Sequence, residues 1–333
     1  MRSRIAGTAL LAALAFMTAR PVWASSYLFF LELQGVAGYS SAAKKAVFSS
    51  MGDMEAMQKP GLGFDYIQRF SGASGDVAVL AVQGRLAWNA GKDAEHRFEP
   101  QIYNAYLKVK AGFADVWIGH NRPKFGLASF YDTHGHLLQP LSMRGYGLDR
   151  DWGIGFERDF AWGNAGLSLT TGSGMPLAFH GNHFAAGRIS LGVLERDNVA
   201  IGISAGRGRL LDAMGTKVMS EATAPFTMAG LDLSVLANAW DHRAELYAGS
   251  RGGRTAIAAL WRVGRGFFEE NRLRIEIQPA VIRAAGETRL DFGAGATFLA
   301  HPDWTLRAMV SRDGETRDTR VIVQVYYYKG IRF

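Results

Sequence analysis

Residues 121–150 read NRPKFGLASFYDTHGHLLQPLSMRGYGLDR, and three metal-capable side chains in this stretch, Asp132, His134 and His136, stand at every second position. In an extended segment that spacing places two imidazoles and a carboxylate on one face, a donor set that suits a transition metal. Ser129 lies near enough for Ser129, Asp132 and His134 to be imagined as nucleophile, orienting group and base, the convergence a hydrolase requires. No flanking motif supports either chemistry. The expectation is therefore no metal, no cofactor and no catalytic set, with the histidines hydrogen-bonded or facing an aqueous path.

A second chemical feature is spread along the chain. Arg85, Lys108, Lys110, Arg188, Arg243, Arg262, Arg272, Arg274, Arg289 and Arg307 fall on the polar side of alternating runs, where the carboxylates are chiefly Asp65, Glu245, Glu276 and Asp291. Basic groups lining a water-filled passage lower the barrier for anions. The same arginines could instead pair with carboxylates and simply solvate a wall. Within 121–150, Arg122, Lys124, Asp132, His134, His136, Arg144, Asp149 and Arg150 are further polar groups available to such a passage.

Composition narrows what could position them. The chain has 333 residues, no cysteine, 40 glycines and only 9 prolines. It opens with Arg2 and Arg4, an apolar run over 5–17 and Val22-Trp23-Ala24, the pattern of a secretory leader cleaved after Ala24. Removing Arg2, Arg4 and Arg20 from 37 basic residues leaves 34 against 30 acidic ones, an excess of four with no basic cluster on one element. That argues against a nucleic-acid partner. An exported chain without cysteine has no disulfides and is held by hydrogen-bonded architecture. Beyond Ala24 no apolar run approaches the roughly 20 residues of a membrane-spanning helix.

Period-two alternation bounded by turn residues marks sixteen strands: 27–38, 61–70, 77–88, 99–110, 114–120, 151–160, 163–171, 183–194, 199–207, 225–236, 240–249, 254–265, 272–283, 288–299, 304–312 and 319–333. Along 272–283, Leu273, Ile275, Ile277 and Val281 oppose Arg272, Arg274, Glu276 and Gln278. Residues 40–60 read as a longer connection able to hold a short helix, and 208–224 as a loop. Strand counting puts the short connections at one end and the long ones, 121–150 among them, at the other. Tyr27, Phe29, Phe30, Phe70, Phe113, Phe160, Trp162, Trp240, Phe267, Phe268, Trp304 and Phe333 gather near the short-turn end, as in an interfacial aromatic girdle. Strands with lipid on one face must close into a barrel, because hydrocarbon cannot satisfy an open edge. The predicted fold is an all-β, transmembrane, antiparallel up-and-down barrel of about 16 strands over 25–333, with an inward-folded loop between strands five and six.

The final strand ends YYYKGIRF, which resembles the assembly signal of bacterial outer-membrane barrels; Lys329 interrupts its apolar face. Gly119, Pro123, Phe125 and Gly126, followed after the loop by Arg150, Asp151 and Gly153, resemble the phosphate-selective porin O/P group and its uncharacterised relatives. The resemblance implies a trimeric channel in the bacterial outer membrane, surrounded by lipid, inserted by the barrel-assembly machinery and passing small hydrophilic solutes, with 121–150 as its constriction. An arginine-rich, lysine-poor lumen departs from the phosphate-selective members. The alternative from another class is a barrel enzyme hydrolysing lipids or peptides.

Overall fold

A computed structural model describes residues 24–51, 58–73, 75–90, 97–130 and 136–331. The expected leader, apart from Ala24, and Phe333 lie outside these residues. Sixteen long strands and one short one form a single sheet: β1 (Ala24–Ser40), β2 (Lys45–Val47), β3 (Gly61–Gly72), β4 (Gly75–Trp88), β5 (Phe98–Lys110), β6 (Asp115–Asn121), β7 (Asp151–Asp159), β8 (Gly163–Thr170), β9 (His183–Leu191), β10 (Val199–Met214), β11 (Lys217–Ala237), β12 (Trp240–Arg251), β13 (Arg254–Phe267), β14 (Leu273–Ala284), β15 (Glu287–His301), β16 (Trp304–Arg312) and β17 (Thr319–Ile331). The long strands pair antiparallel with their sequence neighbours. β1 pairs β17 from Phe29↔Ile331 to Ser40↔Arg320, which closes the barrel and leaves no open edge.

Every strand found by alternation is present. Two connections differ from expectation. Residues 45–47 form β2, a three-residue strand against the end of β1, where a helix was allowed. The expected loop 208–224 is instead a continuation of β10 and β11, turning tightly at Gly215-Thr216, with register shifts beside Asp212 that bend the hairpin. Its tip reaches β5, where the Thr216 hydroxyl bonds Glu99.

The burial pattern is that of a soluble protein turned inside out. Leu290 is 68 % exposed while its neighbour Asp291 is 3 % exposed, and Val323 is 52 % exposed beside buried Ile322 and Gln324. Leu62, Leu86, Ile118, Leu167, Ile203, Leu231 and Ile277 continue the exposed apolar face round the barrel. Glu32, Gln34, Arg85, Gln101, Arg188, Asp232 and Glu276 point inward and are buried. An outer surface of this kind, closed on itself, suits hydrocarbon rather than water. Around the rim that carries the chain ends, Trp162 stacks on Phe160 at 5.0 Å between ring centroids and Trp304 meets Tyr327 at 4.7 Å. Lys329, the interruption in the last strand, reaches Asp303 in the neighbouring turn at 3.7 Å, so its charge sits at the rim.

The main apolar core lies inside the barrel. Phe125, Leu141 and Tyr146 from the 122–150 connection pack against Phe184 of β9, Phe226 and Met228 of β11, Tyr247 of β12, Leu260 of β13 and Ile282 of β14. A second cluster joins Leu137 and Leu138 to Val36 of β1, Val47 of β2, Met309 of β16 and Ile322 of β17.

Candidate functional site

The 122–150 connection leaves β6 at one wall and is tied to walls all round the interior. Pro123 cannot continue the ladder, and its carbonyl accepts a bond from Phe125 N–H at 2.9 Å. Gly126 then turns the chain at φ +62°; a Cβ there would collide with the Tyr247 hydroxyl. A 3-10 turn at Leu127–Ser129 follows, its first N–H bonded to Glu245 Oε1 of β12 at 3.0 Å. Phe125 stacks on Tyr247 at 5.0 Å. Farther along, the Leu138 carbonyl accepts from Arg262 of β13, and the Gln139 carbonyl accepts from Gln278 Nε2 of β14 at 2.9 Å. A second 3-10 turn, Leu141–Arg144, places Arg144 on Asp291 of β15. Met143 then packs against Tyr103 of β5.

The expected loop residues take separate places. Arg122 donates to the Phe130 carbonyl at 3.2 Å, and Lys124 pairs with Glu157 of β7. Asp149 pairs with Arg150, whose guanidinium is buried over the Tyr103 ring at 5.5 Å and donates to Asn104 at 3.2 Å. Arg150 is thus an anchor of the loop's end rather than a group facing open water. The carbonyl of His136 accepts from Gln58 and Gln139 at 3.1 and 2.6 Å. Desolvation, with the positive field of Arg262, Arg307, Arg243 and Arg274, holds the His136 imidazole well below its usual pKa, so it is neutral at physiological pH. Asp132 and His134 lie outside the described residues, as does Gly135. No cluster of three metal-capable side chains occurs among the described ones.

The wall residues are largely paired. Arg188 makes a two-pronged contact with Asp232 at 2.9 and 2.6 Å across β10. Arg85 donates to Gln101 at 2.9 Å, lies 3.8 Å from Glu32 and covers the Tyr103 ring. Lys108 reaches Glu157 at 3.2 Å. Arg243 and Arg274 share Asp241, and Arg274 also meets Glu276 at 2.9 Å. Arg289 contacts Glu315, and Arg307 donates to Gln324 at 2.6 Å. Lys110, the last residue of β5, is exposed at the rim. Arg272 departs from expectation: it precedes β14, and its guanidinium lies 5.9 Å over the outward ring of Phe298 and 3.4 Å from the Leu299 and Ala300 carbonyls. At a strand end, alternation no longer fixes the side chain's direction.

The alternating pattern counted Asp65, Glu245, Glu276 and Asp291 as the wall's carboxylates and passed over Glu32, Glu157, Asp232 and Asp241. These four sit on the same inward parity, so the strand pattern could have found them. Asp151, noted only as part of a motif, gathers the next connection: its carboxylate accepts from the N–H groups of Gly172, Ser173 and Gly174 at 2.5, 3.2 and 3.1 Å, and from the Thr171 hydroxyl at 2.7 Å. Between loop and wall, Leu127, His136, Leu138, Pro140, Arg243, Glu245, Leu260 and Arg262 line a cleft.

A closed barrel of this strand number, crossed inside by the connection between its fifth and sixth long strands, is a known architecture. The fold is that of bacterial outer-membrane porins. An anion-selective porin from Comamonas acidovorans superposes with a TM-score of 0.63 at 10 % identity, over 92 % of this chain and all of that one. OmpF of Salmonella typhi, in complex with daunomycin, matches at 0.63 and 10 %, over 91 % and 97 %. OmpT of Vibrio cholerae, an outer membrane protein in trimer form, matches at 0.58 and 8 %, over 92 % and 100 %. No family model and no curated protein matches the sequence.

Proposed function

We propose that the protein is a porin of the bacterial outer membrane, a channel and not an enzyme, through which small hydrophilic solutes diffuse passively with a lean towards anions. The observation that carries this reading is the 122–150 connection, bonded inside an apolar-belted barrel to β12, β13, β14 and β15, where it restricts the passage left to solutes. The lean towards anions is supported by the guanidiniums of Arg262, Arg307, Arg243 and Arg274, whose positive field reaches His136 in the loop. By strand parity the rim with the chain ends faces the periplasm, and β17 is the strand offered to the assembly machinery. A trimer is supported by the trimer form of the Vibrio protein.

The test is a planar bilayer containing the mature chain. Stepwise conductance is expected, with a reversal potential in a salt gradient of the sign that marks anions. A bilayer without steps would sink the channel reading, and a cation-selective potential would remove the lean. The motif from Gly119 to Gly153 supports the narrower kinship with phosphate-selective porins; inhibition of chloride current by added phosphate is the expected sign of it, and an unaffected current would count against it.

A further inference from the structure

Segment 136–139 of the long connection is held from two directions. On one side Arg262 of β13 donates to the Leu138 carbonyl and Gln278 of β14 to the Gln139 carbonyl. On the other it meets a second connection, the one between β1 and β3, which also turns into the barrel. Ser49, Ser50, Gln58 and Lys59 of that connection are buried, and the Ser50 N–H bonds the Gln58 carbonyl at 3.3 Å. Val47, in β2, shares one apolar cluster with Leu137 and Leu138. Gln34 of β1 donates to the Lys59 carbonyl at 2.9 Å and ties the end of the connection to the wall.

The Gln58 amide joins the two connections. Arg307 of β16 donates to Gln324 Oε1 of β17 at 2.6 Å, Gln324 Nε2 donates to Gln58 Oε1 at 2.6 Å, and Gln58 Nε2 donates to the His136 carbonyl at 3.1 Å. A guanidinium can only donate, so Arg307 sets the direction of every later bond: reversing either amide would face N–H with N–H. Each bond polarises the next, which strengthens a chain begun by a cation. The His136 carbonyl also accepts from Gln139, but that partner belongs to the same segment and cannot fix it to the wall. A carboxylate at position 58 could accept from Gln324 yet not donate to the carbonyl, and an apolar side chain could do neither.

We propose that Gln58 is a positioning residue for the passage: it makes the connection between β1 and β3 a second jaw of the constriction, holding 136–139 from the β17 side while Arg262 and Gln278 hold it from β13 and β14. Within the channel reading on which this rests, the width and the field at His136 then depend on two connections rather than one.

The mature barrel carrying Leu137→Cys tests the tie, because the chain has no cysteine of its own and Leu137 is buried beside Val47. A sulfonated methanethiosulfonate is expected to label that thiol roughly fivefold faster when Gln58→Met or Gln58→Glu is added, the factor by which losing one hydrogen bond of ordinary strength raises local opening. Gln324→Met, which breaks the chain one link earlier and outside the connection, is expected to do the same, and it carries the test where a change at position 58 prevents folding. In planar bilayers the same substitutions, without the cysteine, are expected to raise the current noise of the open level. Unchanged labelling in both Gln58→Met and Gln324→Met would overturn the inference. So would a lowered urea midpoint with labelling and noise untouched, the signature of a merely structural contact, and so would faster labelling with unchanged noise, which would put the segment outside the path. Wild type without conductance steps removes the channel reading, whereas normal steps with noise and labelling unaffected by Gln58→Met remove the role of Gln58 alone.

Discussion

Arg188 and Asp232 show what the interior asks of single residues. They stand on β9 and β11, and between them on β10 is Gly202, where a Cβ would press on the guanidinium. Both side chains are buried, so the pair persists because its two hydrogen bonds replace the water each ion has lost. Asp232→Asn leaves a buried guanidinium without its counter-charge and is expected to lower stability by about 3 kcal/mol, read from urea unfolding in lipid vesicles. The same variant should move the reversal potential farther towards anions; a shift towards cations would show that Arg188 contributes nothing to the field along the passage. Asp318 belongs to the opposite rim, in the turn before β17. Partial burial raises its pKa, but the Ala42 N–H at 3.0 Å, Arg320 at 2.7 Å and the Ser40 hydroxyl at 2.8 Å outweigh that and hold the carboxyl at about 2. A folded value below the ordinary 3.8 means the contribution is fully present above pH 3.8 and is lost as pH falls through about 2. Screening at an open rim reduces it to on the order of 1 kcal/mol. Asp318→Asn should therefore weaken the β1–β17 seam at neutral pH and converge with wild type in strong acid. A constant difference across that range would mean the carboxylate's charge is not what holds the seam.

At the scale of elements, alternation located every long strand because lipid enforces it: an outward polar residue in the apolar belt is costly, so the outer face is written plainly. Where lipid stops, the signal stops. Residues 208–224 continue as strands beyond the belt, but the register shifts at Asp212 break their period, and they read as a loop. The 122–150 connection was legible as an anomaly of length between two strands, and Pro123 and Gly126 marked its turn. Its anchorage was legible only in part. Along β13 and β14 the inward face changes from Arg262, Arg274, Glu276 and Gln278 to Ala256, Ala258, Ala280 and Ile282, which is the wall preparing an apolar seat for Phe125 and Leu141. Which charges meet across the lumen could not be read, because pairing depends on register and on partners far apart in sequence. If the connection narrows the passage, deleting residues 129–145 removes the bonds to Arg262, Gln278 and Asp291 and should raise single-channel conductance. An unchanged conductance would place the permeation path elsewhere. Phe125→Ala tests the seat separately, at a cost of about 3 kcal/mol from the apolar cluster.

For the whole molecule, the selectivity of the proposed channel would be set by what remains after pairing. Cleavage after Ala24 would leave an excess of only four positive charges, and Arg85, Arg188, Arg243 and Arg274 are close to carboxylates. Buried pairs contribute little net field, and salt alters them little; the remaining field comes from charges in contact with the water-filled passage, which salt screens. A weak preference of this origin must fade as ionic strength rises, because the screening length contracts from about 10 Å at 0.1 M to about 3 Å at 1 M. The anion-to-cation permeability ratio, measured at a fixed salt gradient with increasing mean concentration, is therefore expected to fall towards the mobility ratio of the ions. A ratio that held steady at 1 M would point instead to a dry, short-range site for the anion, with Arg262 and Arg307 beside His136 as the groups to vary first.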